Sequence, residues 1–381
     1  DNRVMVIEEI WFTERDYVLD LEIIVQYYLI PLRANQLLSM ELPTVFGNLE
    51  LILSVNQGLL DKLTRRLAEP LSNKSVRDSD LKLSLGDIFD EIVNNLRTYE
   101  QYCINHKDSL NVLARVSKQT AISQFMEAAR EKHGKLSMLN LNDYLIKPVQ
   151  RICKYPLLFK ELLKQTSTSH PDYPQIENVL NKLQQVTFEI NESKAQTENQ
   201  QKLMDIQKRV DGFESAKLGK IATSDRVYVY EGVMSKVNPK KKVQQRYFFL
   251  FNDLLMWCKP KAMTKNYYIF KGCVHLDCAV VRDQADTKGM KNVFQIIRMD
   301  TKKIYTLICD SVASKRTWLG EIDKLIGEYL SKEREKDRMA SEASFDMGCD
   351  SQRGSFDMTT RVVRGPSSSS GVVPPTTPPP P

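Results

Sequence analysis

No stretch of this 381-residue chain holds the roughly 18 consecutive apolar residues that a membrane-spanning helix needs. No secretory leader is visible either, because Asp1-Asn2-Arg3-Val4 enters a helical pattern at once. The missing initiator Met leads us to expect a piece of a longer protein. The 7 Cys are odd in number and have no paired short spacings. That argues against a disulfide framework or a zinc site, and for reduced thiols in a cytosolic protein. The 4 His are as dispersed, and no Walker-type Gly-Lys-Ser/Thr loop is present. We therefore expect no cofactor, no metal and no covalent catalytic set.

What is present is enough apolar side chain for two ordinary domains, at 42% hydrophobic against 27% charged residues. Net charge is +6 but uneven: residues 226–330 hold 19 basic against 10 acidic residues, while residues 1–225 hold 28 against 31. The excess predicts an anionic partner for the middle segment alone. Nucleic acid would call for exposed aromatics interleaved with charge. The aromatics here alternate as strand-core residues, so a membrane surface is the expected partner and nucleic acid is not.

From Val4 to about Met204 the apolar spacing is helical, beginning with Val4, Ile7, Trp11, Val18, Leu21, Val25 and Tyr28. Further helices are predicted near 45–67, 85–104, 110–129, 141–163 and 176–206, separated where turn residues gather. After Phe213 short β-branched and aromatic runs take over, at 227–230, 246–257, 266–270, 274–281, 293–299 and 303–309. One helix, 312–330, closes the segment. The fold class expected is multidomain: an all-α elongated helical bundle over 1–208, a helical linker over 209–225, and a small antiparallel β-barrel or sandwich with a C-terminal helix over 226–332. A Ser- and Pro-rich tail over 333–381 should be disordered. Its Pro375-Thr376-Thr377-Pro378 fits an SH3-type groove. A Ser-Phe-Asp-Met repeat at 344–347 and 355–358 has no assigned mechanism.

Three stretches of the helical segment stand out. The first runs Glu9-Ile10-Trp11-Phe12-Thr13-Glu14-Arg15-Asp16-Tyr17-Val18-Leu19-Asp20-Leu21, and the second is Leu85-Gly86-Asp87-Ile88-Phe89 with Tyr99 and Tyr102-Cys103-Ile104-Asn105. The third is Leu141-Asn142-Asp143-Tyr144-Leu145-Ile146-Lys147-Pro148-Val149-Gln150-Arg151-Ile152-Cys153-Lys154-Tyr155-Pro156-Leu157-Leu158. Within it Leu141, Leu145, Pro148, Ile152, Tyr155, Phe159 and Leu162 form a core-facing seam. Lys147, Gln150, Arg151 and Lys154 form an opposite polar stripe, which by itself reads as a solvated face. Pro148 should kink the helix. Glu14 falls on the apolar stripe of the first helix, so it is either paired inside the bundle or exposed at a site that uses it.

These three stretches, in order, resemble the conserved regions of the Dbl-homology family of Rho guanine-nucleotide exchange factors. Arg246-Tyr247-Phe248-Phe249-Leu250-Phe251-Asn252-Asp253 and Trp318 resemble a pleckstrin-homology domain. The resemblance implies a GTPase-binding surface made by Glu14, Leu139, Lys147, Gln150, Arg151, Lys154 and Asn191. Glu14 would engage switch I of a Rho-, Rac- or Cdc42-type GTPase, while Lys147 and Asn191 would engage switch II. It also implies membrane recruitment through Lys236, Lys240, Lys241, Lys242 and Arg246. Gln244 stands where many lipid-binding relatives carry a further basic residue, so little headgroup selectivity is expected. The alternative is a helical scaffold that binds a GTPase or a membrane without speeding exchange.

Overall fold

The fold was read from a computed structural model, which describes residues 2–72, 83–133, 139–214, 219–238, 242–262, 264–287 and 289–349. Lys240, Lys241 and the Pro-rich end lie outside the described residues.

Among the described residues up to Arg209, the regular elements are all helical. They are α1 (Asn2–Ile23), a π-helical turn (Ile24–Leu29), α2 (Ile30–Ala34), α3 (Leu42–Phe46), α4 (Leu49–Ser72) and α5 (Gly86–Ile92). A 3-10 turn (Val93–Thr98) leads into α6 (Tyr99–Val116), α7 (Thr120–His133), α8 (Leu141–Leu145), α9 (Lys147–Lys164) and α10 (Tyr173–Arg209). The helix expected over 110–129 is divided between α6 and α7 at residues 117–119. Pro148 does more than kink its helix. Without an N–H to donate to Tyr144, it sits in the first turn of a new helix, and α8 and α9 part at Ile146. The seam from Leu141 to Leu162 is buried throughout.

One long-range cap holds the start of this core. No side chain of its own end caps α5. Asp172, just before α10, accepts from the backbone N–H of Leu85 at 2.9 Å and of Gly86 at 3.2 Å. A negative oxygen suits the positive end of a helix. Gly86 is required there, since a Cβ would meet Asp172 Oδ1 at 2.8 Å. Arg3 donates to Leu83 O at 2.7 Å and pairs with Asp172 at 3.5 Å. The first turn of α1 is thereby fixed to both segments.

In the stretch 209–225, expected as a helical linker, the long helix α10 ends at Arg209. Val210–Asp211 forms strand β1, parallel to β5 (Tyr268–His275), with Val210 opposite Tyr268. Side chains on the last turns of α10 hold the following segment by its backbone. Asn199 donates to Arg226 O at 2.7 Å and accepts from Tyr228 N at 2.8 Å, and Gln200 donates to Thr223 O at 2.8 Å. Gln207 Oε1 accepts from Ile221 N and Ala222 N at 2.8 and 3.0 Å.

The strands are β2 (Tyr228–Val237), β3 (Val243–Phe251), β4 (Leu254–Pro260), β5 (Tyr268–His275), β6 (Ala279–Asp283), β7 (Val293–Arg298) and β8 (Lys303–Ile308). Their order in the sheet is β1-β5-β4-β3-β2-β8-β7-β6. The 246–257 run is two strands turned at Asn252-Asp253. The chain divides into two compact units: residues 1–233, 246–252 and 256–273, and residues 234–245, 253–255 and 274–381. In the second unit β6, β7 and β8 are antiparallel, with Val280 opposite Ile297 and Ile297 opposite Ile304. The closing helix α11 (Val312–Cys349) buries Trp318 and packs against β6 and β7. It runs past residue 333, where disorder was expected. Charge pairs one turn apart, Lys336 with Glu333 and Arg338 with Glu335, support the extra turns.

Candidate functional site

Helix α9 packs against α1 on one side and α10 on the other. Acids on α1 face bases on α9 in three successive pairs. Glu9 meets Lys154 at 3.3 Å, Glu14 meets Arg151, and Asp20 meets Lys147. The outer pairs reach solvent, the Glu9 and Lys154 side chains being 53% and 43% exposed. The middle pair is closed, with Glu14 at 0% and Arg151 at 5% exposure.

The middle pair is the centre of a buried polar network. Arg151 Nε donates to Glu14 Oε2 at 3.0 Å and Nη2 donates to the same oxygen. Arg151 Nη1 donates to Thr13 Oγ1 at 2.9 Å. The Tyr155 hydroxyl lies 2.9 Å from Glu14 Oε2 and 2.8 Å from Asn56 Oδ1, and its single proton serves one of them at a time. Asn56 donates to the Tyr99 hydroxyl, which lies 3.0 Å from that of Tyr17. Glu14 Oε1 has no hydrogen-bond partner among the described residues. Burial pushes the Glu14 carboxyl above the ordinary carboxylate range, against the pull of Arg151. Burial is the largest influence on Arg151 and disfavours its charge, but Glu14 and Tyr155 together more than offset it, and the guanidinium is held above its ordinary range. Burial likewise lifts the Asp20 carboxyl, opposed by Lys147.

Two expected surface residues are therefore interior. At about 100° per residue, Glu14 stands roughly 140° round α1 from Glu9 and faces α9. Arg151 stands about 100° round α9 from the exposed Gln150, on the flank that α1 covers. The polar stripe was too wide for one exposed face. Lys147 is half-buried, held by Asp20, with its ammonium 5.3 Å from the Tyr144 ring centroid. Leu139 is partly buried against the helical core. Gln150 and Asn191 are exposed, and Lys154 is half-exposed.

Sequence reading passed over Glu9, although it opens the first conserved-looking stretch. The signal was its place on the row Met5, Glu9, Phe12, Asp16 and Leu19, spaced by three and four on α1 and all exposed, with acids among large apolar side chains. Large apolar side chains also stand out on the other two helices. Leu157 on α9 is 66% exposed, and Phe188, about one turn before Asn191 on α10, is 61% exposed. Acid, ammonium and amide thus share three adjacent helices with unburied apolar groups, the composition of a protein-binding face.

Residues 6–191 match the RhoGEF domain family, and residues 216–325 match the SOS1/NGEF-like PH domain. The chain is a tandem of a RhoGEF domain and a PH domain. The myosin-M heavy chain of Dictyostelium discoideum is 32% identical over 340 residues, covering 86% of this tandem and 19% of that protein. Rho guanine nucleotide exchange factor 4 of Homo sapiens is 31% identical over 352 residues, covering 90% of the tandem and 48% of that protein. The tandem spans less than half the length of either relative. The DH/PH fragment of PDZ-RhoGEF, solved with human RhoA, is 20% identical and superposes with a TM-score of 0.67, covering 86% of the tandem and 94% of that chain. That likeness shows the fold.

In the pleckstrin-homology part, Lys236 on β2 and Lys303 on β8 lie 5.3 and 5.4 Å from the Tyr305 ring centroid. Lys242 and Gln244 are exposed and Arg246 is half-buried. No helix is long and apolar enough to cross a membrane, and no group of three or more potential ligands could hold a metal, among the described residues.

Proposed function

We propose that this RhoGEF tandem speeds GDP release from a Rho-family GTPase through the face made by α1, α9 and α10. The observation that carries this is the exposure of Glu9, Lys154 and Asn191 on three adjacent helices of a RhoGEF domain. Glu9 takes the role first expected of Glu14, restraining switch I. Lys154 and Asn191, flanked by Gln150 and Lys147, restrain switch II. The GTPase is of Rho, Rac or Cdc42 type.

A GTPase holds nucleotide through switch loops that have two arrangements. A partner that binds the nucleotide-free arrangement more tightly weakens nucleotide binding by the same factor, because the coupling is reciprocal. Each ~1.4 kcal/mol of differential binding gives about tenfold. Held switches no longer support the GTPase's own Mg²⁺, GDP leaves, and the more abundant GTP refills the site. No bond is made or broken, so the face needs no nucleophile. The pleckstrin-homology part brings the tandem from the cytoplasm to anionic membrane through Lys236, Lys240, Lys241, Lys242 and Arg246, at ~1 kcal/mol per basic residue near the leaflet. The Pro-rich end is the segment an SH3-type domain would take.

The test is release of fluorescent GDP from a panel of purified Rho-family GTPases. At least one should release nucleotide faster with the tandem, and Lys154→Ala should abolish most of that gain. A panel left unaffected by the parent tandem would refute the reading.

A further inference from the structure

The three acid–base pairs between α1 and α9 differ in kind. Along α1 the acids advance from Glu9 to Glu14 to Asp20, while along α9 their partners retreat from Lys154 to Arg151 to Lys147. The helices are therefore antiparallel here and held in one register. The outer pairs are single ammonium contacts; Glu9–Lys154 is about half exposed and exchanges partners cheaply, while Asp20–Lys147 is half-buried. The middle pair is a guanidinium with two N–H groups on one carboxylate oxygen and a third on Thr13, all but sealed from water.

An aliphatic helix interface tolerates small slides, because Leu and Ile surfaces repack. A buried guanidinium fork does not. Sliding α1 by one turn, ~5.4 Å, would strand both charges in the core. Registry is the best-attested use of a buried ion pair, which otherwise adds little to stability over an apolar filling. Here the residues held in register are specific. Arg151 lies three positions from Lys154, and Glu14 lies five from Glu9. Lys154 and Glu9 are themselves the groups offered to a GTPase, and a single half-exposed ammonium contact is a weak hold on the helices while the face is in use.

We propose that Glu14 and Arg151 are positioning residues of the exchange face, fixing α1 against α9 so that Glu9 and Lys154 act on the two switches together. This rests on the exchange reading above. Neither residue touches the GTPase. Their effect is on the difference between its two states, since only a face held in register favours the nucleotide-free arrangement over the GDP-bound one.

The experiment measures Kd for the nucleotide-free and for the GDP-bound GTPase, with the whole tandem, alongside thermal unfolding. Glu14→Leu with Arg151→Met fills the site with apolar volume and should fold with an unchanged or higher melting temperature. Its preference for the nucleotide-free form should fall about tenfold, as should GDP release. Arg151→Lys keeps the charge but loses the fork, and should lose part of that preference while melting near the parent. Unfolded protein would lower the binding stoichiometry and leave both Kd values in place, so a merely structural role is distinguishable. If the double variant does not fold, Arg151→Lys decides alone. Parent-like preference in the folded double variant, or in Arg151→Lys when the double variant is unfolded, overturns the proposal. If the proposal fails while Lys154→Ala still slows release, only the positioning role is lost. If Lys154→Ala is also silent, the exchange face itself is wrong.

Discussion

Glu9 and Glu14 sit on one helix, and exchanging each for Ala separates their roles. Glu14→Ala removes the carboxylate that neutralises Arg151, whose side chain is only 4% exposed. Thr13 Oγ1 remains as an acceptor but carries no charge. Breaking a buried pair from one side costs about 3–5 kcal/mol. At roughly 2–4 °C per kcal/mol for a domain of this size, the helical domain should melt about 6–20 °C lower. Glu9→Ala removes a half-exposed carboxylate with one ammonium contact. Its stability should stay within about 0.5 kcal/mol of the parent. Its exchange should fall, because a charged hydrogen bond to the GTPase is worth about 1.5–3 kcal/mol, or roughly 10- to 100-fold in rate. Calorimetric melting and fluorescent GDP release on the same samples read both quantities. A Glu14→Ala protein that melts like the parent yet exchanges poorly would make Glu14 the contact residue after all. A Glu9→Ala protein with parent-like exchange would remove α1 from the face.

Asn191→Ala should slow exchange while melting within about 2 °C of the parent, since exposed positions seldom shift stability by more than ~0.5 kcal/mol; an early melt would make it structural. His106 is buried with neither ring nitrogen hydrogen-bonded among the described residues, and burial, then the nearby Lys194 charge, lowers its pKa below the ordinary 6.5. The unfolded chain then takes the proton first, so stability is level above that value and falls as pH drops through it. His133, also lowered by burial, adds in the same direction. His106→Leu should flatten part of the loss between pH 7 and 5 in denaturant titrations, and an unaltered slope would contradict this. Replacing Lys240, Lys241 and Lys242 with Ala should release the tandem from anionic liposomes at low salt while exchange on a soluble GTPase persists. A sharp preference for one phosphoinositide isomer would instead reveal a formed pocket.

The two-part architecture was legible because helical and strand periodicities are local properties of the chain. The seam from Leu141 to Leu162 could be read for the same reason. The fate of charged residues could not. Glu14 and Arg151 are 137 positions apart, and only the packing of α1 on α9 shows that each is the other's partner. A stripe of Lys147, Gln150, Arg151 and Lys154 spans about 100° of helix, wide enough to hold both an exposed face and a buried edge. Which edge is buried depends on where the neighbouring helix lies. Asp172 escaped notice similarly, because a cap supplied from 87 residues away leaves no trace beside α5. The turns of α11 beyond residue 333 rest on charge pairs one turn apart, which composition alone does not distinguish from a solvated tail.

The hold of α10 on the chain after it has an evolutionary consequence. Asn199, Gln200 and Gln207 grip peptide groups of Ile221, Ala222, Thr223, Arg226 and Tyr228. Every residue except Pro offers the same N–H, and all offer the same carbonyl. The contacts are therefore blind to the identity of the side chains they bind. These contacts leave the exposed or half-buried side chains of 222–225 and 227 open to substitution, provided the length of the segment and the three amide-bearing residues on the helix are kept. Ile221 and Arg226, both buried, are held by their own packing as well. Insertions and deletions there should be rarer than substitutions, the reverse of what an ordinary surface connection permits.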